Sequence, residues 1–120
     1  MDLLEIFKDF DALERFPAGA TIIEEGAEGN VMYVVVEGEV NVSLKGKILA
    51  ISKQGEIVGE MALISSDLRS ATVTAKTDCR LAPIDQASFE SMLRHVPDFS
   101  MHVMNVLASR LQHAYEMIEH

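Results

Sequence analysis

Cations are scarce in this chain, with ten Lys and Arg against nineteen Asp and Glu and a formal charge of −9. That balance argues against sequence-independent nucleic-acid binding, which needs a basic face to displace counterions from phosphates. It argues equally against docking on an anionic membrane surface. A single cysteine, Cys79, excludes an intrachain disulfide and a cysteine cluster for zinc. No apolar run approaches the ~20 residues of a membrane span, and no basic-then-apolar start resembles a signal peptide. Histidine is missing from the strand region: His95, His102, His113 and His120 all fall in the tail. A metal site built from strands is therefore not expected. The absences describe a soluble, cytoplasmic, acidic domain with no metal.

What remains is globular. The chain has 120 residues, 48% hydrophobic and 24% charged, enough for one core in one domain. All seven glycines fall between Gly19 and Gly59, where they punctuate short apolar runs. Val40, Val42 and Leu44 alternate with Asn41 and Ser43, and Ala71, Val73 and Ala75 alternate with Thr72 and Thr74. A period of two marks half-buried strands, and many short strands with glycine turns mark an antiparallel jelly roll. Glu37-Gly38-Glu39 and Lys45-Gly46-Lys47 are expected hairpin connections.

From about Gln86 onward the pattern becomes helical. Asp85 is placed to cap a short helix ending at Arg94 or His95, Pro97 stops it, and Asp98 can begin another. Val103, Leu107, Leu111, Ala114 and Ile118 form one apolar stripe on a long final helix expected over 100–119. Leu3, Leu4 and Phe7 make a helical turn too short to stand alone. The expected architecture is an antiparallel β jelly roll over about 15–85, closed by a short and a long helix over about 86–119. It is read as one domain, with no DNA-binding, channel or catalytic domain attached.

The residues with chemistry lie between Gly59 and Ala71. Gly59 permits close backbone approach, and the N–H groups of Met61, Ala62 and Leu63 open a helical turn suited to an anion. Arg69 carries a planar fork that matches a phosphate, with the Ser70 hydroxyl beside it. Glu60 is an acceptor of the kind that holds a sugar hydroxyl. Two readings of Glu60 and Arg69 stand side by side: a structural ion pair, or the acceptor and donor of a ligand site.

The stretch Gly59-Glu60-Met61-Ala62-Leu63 followed by Arg69-Ser70-Ala71 resembles the phosphate-binding cassette of the cyclic nucleotide-binding domain family. That family's pattern is Gly-Glu-x-Ala-Leu, a loop, then Arg-(Ala, Ser or Thr)-Ala. Phe16-Pro17-Ala18-Gly19, Glu25-Gly26, the run from Tyr33 to Val40, and Gly55 to Gly59 are similar to its flanking turns and strands. Met61 stands where leucine is common, and Leu68 where proline is frequent. The resemblance implies that Arg69 pairs with the exocyclic oxygens of a cyclic phosphate. Glu60 would accept from the ribose 2′-hydroxyl, and amides near Ala62 and Leu63 would complete the shell. Val42 and Val73 would wall the base, while Leu107 and Arg110 would close over it.

The implied function is a non-enzymatic sensor of a cyclic nucleotide, cyclic AMP favoured over cyclic GMP, that signals by closure of the C-terminal helix. Ser70 does not decide the base, because serine after the arginine occurs with both nucleotides in this family. The implied partners are an effector protein or an output domain outside this chain, and a second copy through the C-terminal helix. The alternative is a protein-interaction module of the same fold that no longer senses nucleotide.

Overall fold

Among the described residues, eight strands form two four-stranded antiparallel sheets and a helical tail follows them. The computed structural model describes residues 2–9, 11–65 and 68–119, without the side chains of Ser65 and Glu119. Ser66 and Asp67 of the cassette loop, and His120, lie outside the described residues. Contacts divide the chain into two compact units, Asp2–Gln86 and the tail from Ala87.

The first sheet has the order β1 (Glu14–Phe16), β8 (Cys79–Asp85), β3 (Val31–Glu37), β6 (Ile57–Val58). The second has the order β2 (Thr21–Ile23), β7 (Thr72–Ala75), β4 (Val40–Leu44), β5 (Lys47–Ser52). Their inner faces share one core: Val35, Val58, Cys79 and Leu81 from one sheet meet Ile23, Val40, Val73 and Ala75 from the other. Alternation puts those residues on one side of each strand. This is the jelly-roll sandwich that the alternation implies. β1 and β6 escape a periodicity reading because three and two residues hold no repeat to detect.

β3 is buried on both faces. Tyr33 and Val35 point into the shared core, while Met32 and Val34 lie on the opposite face. The short helix α1 (Leu3–Phe7) packs against this strand and buries Leu3 and Phe7. Asp2 caps it by accepting from the Glu5 N–H at 3.2 Å. Tertiary packing thus supports a turn that could not persist alone. The β4–β5 hairpin turns at Lys45 and Gly46, with φ of 51° and 81°, the left-handed pair a tight two-residue turn requires.

In the tail, α3 (Gln86–His95) and α4 (Phe99–Glu119) fall where expected, α4 starting one residue early. Asp98 precedes α4 and its carbonyl accepts from the His102 N–H at 2.9 Å. Its φ of 67° is left-handed, unlike the extended backbone usual at a helix cap. Phe89 and Phe99 meet edge to face, centroids 5.8 Å apart. The apolar stripe divides: Val103 is buried, whereas Leu111 and Ile118 are 54% and 81% exposed. No helix among the described residues is long and apolar enough to cross a membrane.

Candidate functional site

Arg69 leads into β7 and is held at both ends by the loop before β3. Its N–H donates to the Ala27 carbonyl and its carbonyl accepts from the Gly26 N–H, each at 2.8 Å. Its guanidinium reaches back as well, Nη1 donating to the Gly59 carbonyl at 3.0 Å and Nη2 to the Val31 carbonyl at 2.6 Å. The loop before β3 therefore fixes the backbone of this residue, while the start of β3 and the turn after β6 fix its head. Glu25 ties the same loop to β7: its N–H donates to Thr72 Oγ1 at 3.1 Å, and its carboxylate accepts from that hydroxyl at 3.2 Å.

Glu60 is 1% exposed, the one charged side chain among the buried described residues. Carboxylates are seldom buried without electrostatic support. Burial pushes the Arg69 guanidinium down from its ordinary value, and the nearby Tyr33 and Glu60 pull it back up. It stays a cation, since arginine does not lose its proton in proteins. Burial likewise raises the Tyr33 phenol, Glu14 adds to the rise, and Arg69 opposes it. Arg69, Glu60 and Tyr33 thus form one electrostatic cluster. Its hydrogen bonds differ from the expectation of a simple Glu60–Arg69 pair, because both bonds of the guanidinium go to backbone carbonyls. Carbonyl oxygens can satisfy a half-buried fork without a second charge.

The helical turn α2 (Met61–Ser65) begins directly after Glu60. Its amide groups correct one expectation: Leu63 donates to the Glu60 carbonyl at 3.0 Å, as Ile64 does at 3.2 Å, so the Leu63 N–H is not free for an anion. A tight first turn engages an amide that a regular α-helix would leave open. The Ala62 N–H has no acceptor among the described residues. Ala62 and Leu63 bury their side chains, Met61 and Ser70 are exposed, and Ala71 is half-buried.

Val42 and Val73 are direct partners across β4 and β7, so their side chains share the inner face. Val73 is buried and Val42 half-buried against the shared core. Leu107 and Arg110 lie on α4, one turn apart and both half-buried. A cleft of about 490 Å³, lined by Arg15, Phe16, Pro17, Glu37, Asp78, Cys79 and Arg80, contains none of the cassette residues.

A sequence model of the cyclic nucleotide-binding domain matches residues 13–96. The chain belongs to the cyclic nucleotide-binding domain family. The cAMP-activated global transcriptional regulator CRP of Salmonella typhimurium is 34% identical over 121 residues, covering 96% of this chain and 58% of that protein. A cGMP-dependent protein kinase of Drosophila melanogaster, isozyme 2, is 35% identical over 95 residues, 78% of this chain and 9% of the kinase. Among solved structures, the cAMP-bound PfPKA-R matches with a TM-score of 0.76 at 27% identity, over 88% of this chain and 36% of that one. The chain spans 58% of the length of the bacterial regulator.

For a cyclic nucleotide-binding domain, three features of this site were not evident from residue types. Tyr33 reads as an ordinary strand aromatic until its phenol is seen to act on Arg69. The Val31 carbonyl belongs to the backbone and has no signature. Gly29, in the loop before β3, is marked only by its glycine, and it faces the Arg69 guanidinium.

Proposed function

We propose that this cyclic nucleotide-binding domain binds cAMP in preference to cGMP through the cassette of residues 59–71 and transmits binding without altering the ligand. The observation that carries the reading is Arg69, a half-buried cation beside a buried Glu60, at the family's cassette spacing. In this reading the Arg69 fork takes the exocyclic phosphate oxygens, supported by the Ala62 N–H and the close backbone at Gly59. Glu60 accepts from the ribose 2′-hydroxyl. Met61, Leu63, Ser70 and Ala71 shape the cassette around them. Val42 and Val73 wall the base, and Leu107 and Arg110 of α4 supply the lid. The preference for cAMP is supported by the bacterial relative, whose name specifies cAMP and whose match covers more of this chain than the cGMP-dependent kinase does.

The response is a population shift. Ligand phosphate orders the cassette, the tail helix closes over the base, and an effector protein or output domain outside this chain reads the change. The shift can be no larger than the ligand's differential affinity for the two states. Two copies pair through the exposed half of α4. Calorimetric titration with each nucleotide tests the proposal, and a ligand at 100 times Kd should add ~2.7 kcal/mol of stability. Absence of heat and of thermal stabilisation with both nucleotides overturns it.

A second reading, an interaction module that does not sense nucleotide, is favoured by one observation. The two carbonyl bonds of Arg69 already satisfy the buried part of its fork. The same titration separates the two.

A further inference from the structure

Six of the seven glycines have positive φ, and Gly29 is the exception. Backbone conformation therefore explains the other six and leaves Gly29 unexplained. Space explains it. A Cβ built on Gly29 would lie 2.1 Å from Arg69 Nε, 2.5 Å from Cζ and 2.6 Å from Nη2, below the 3.0 Å that real Cβ atoms keep. The guanidinium occupies the volume that any other residue would fill with its own side chain. Around this niche, the Gly26 and Ala27 backbone holds the Arg69 backbone, and the Val31 and Gly59 carbonyls hold its Nη atoms.

We propose that Gly29 is a positioning residue, its missing side chain forming the niche that sets where the Arg69 fork meets a phosphate. This deepens the proposed cyclic-nucleotide reading and rests on it. Affinity then depends on the loop before β3 as well as on the cassette. A methyl at position 29 meets the far end of a flexible side chain rather than backbone. The guanidinium yields and the loop does not, so the fold survives while the fork moves off its carbonyls. A hydrogen bond to a charged group is worth roughly tenfold or more in an equilibrium, so a misplaced fork weakens binding by at least that much.

The test uses Gly29→Ala in the whole chain with two readouts. The first is the Arg69 Nε–H resonance of the ligand-free protein, identified by its loss in Arg69→Lys. The second is calorimetric titration with cAMP and cGMP. The resonance is expected to move, affinity to fall about tenfold, and the melting temperature to hold. An unmoved resonance overturns the proposal, as does unchanged affinity in a protein whose wild type binds. If the wild type binds neither nucleotide, the cyclic-nucleotide reading fails, and the role of Gly29 in aiming Arg69 at a phosphate falls with it. An unmoved resonance in a wild type that does bind strikes Gly29 alone. Should Gly29→Ala not fold, Gly29→Ala with Arg69→Ala is expected to, because alanine at position 69 leaves the niche empty. Failure of that double variant also overturns the proposal.

Discussion

Arg69 Nη2 donates to the Val31 carbonyl at 2.6 Å, joining the cassette to the first residue of β3 across 38 positions of sequence. The cation that the cassette supplies is thereby held by the opposite sheet. β3 lies between β8 and β6 in that sheet and is backed by α1. A ligand that drew the fork away from Val31 would act on an inner strand of that sheet.

Removing that fork should separate binding from folding. In Arg69→Ala the Gly59 and Val31 carbonyls lose their donors, a cost of ~1–3 kcal/mol for each one that water does not reach. That is tolerable for a domain with stability on the order of 5–15 kcal/mol. Cyclic-nucleotide affinity should fall at least 100-fold, since no lone amide replaces a bidentate charged donor. Arg69→Lys should recover only part of it, because an ammonium cannot span two carbonyls and a phosphate. Titration beside a thermal melt checks both. Near-wild-type affinity in Arg69→Ala would remove Arg69 from the site.

Much of this fold was legible because its signals are repetitive or local. Val40, Val42 and Leu44 announce β4 by alternation, and Lys45-Gly46 announces its turn. The cassette is legible by its spacing from Gly59 to Arg69. β1 and β6 were not, being shorter than any repeat. The partners of Arg69 were not legible either. A carbonyl at Val31 is common to every residue type, and the niche at Gly29 is the lack of a group. Glu60 seemed the natural partner for Arg69, yet the backbone oxygens of Gly59 and Val31 take its hydrogen bonds. The stripe from Val103 to Ile118 marked a helix face correctly but could not show that only its beginning is buried.

Two hairpin glycines should respond differently to the same change. Gly38 has φ of 89°, and an added Cβ would meet the Asp78 carbonyl oxygen at 2.4 Å. Gly46 has φ of 81° with nothing within 4 Å. Gly46→Ala should cost only the left-handed penalty, ~1–2 kcal/mol. Gly38→Ala adds a backbone collision and should cost at least ~3 kcal/mol. Denaturant unfolding of the two variants measures the difference, and equal losses would contradict the geometry.

His102 on α4 makes stability depend on acidity. Its Nε2 is buried with no hydrogen-bond partner among the described residues, and burial holds its pKa below the ordinary value. The unfolded chain therefore binds this proton more readily than the folded one. Its contribution is full above the unfolded pKa of about 6.5 and is lost as pH falls through the lowered folded value. The melting temperature should drop as pH is taken from about 7.5 toward 5, in the range where histidine titrates. His102→Gln, which cannot take up a proton, should flatten that slope. An identical slope in the variant would place the acid sensitivity elsewhere.

The exposed half of α4 should make self-association weak and concentration-dependent. Met104, Leu107, Leu111, Ala114 and Ile118 recur at alternating spacings of three and four, the seam of a two-stranded coiled coil. Met104, Leu111 and Ile118 are each more than half exposed, so pairing with a second copy would bury area that now faces water. Burying each large side chain contributes ~1.5–3 kcal/mol, while association costs on the order of 4–15 kcal/mol. A seam of about two heptads then leaves a small surplus, and dimers should form only at higher protein concentration. Sedimentation should show a monomer–dimer equilibrium, with a melting temperature that rises with concentration. Leu111→Glu with Ile118→Glu should abolish both effects without disturbing the sheets, because neither side chain belongs to their core. A wild-type chain that sediments as a monomer at every concentration would leave this face to another partner.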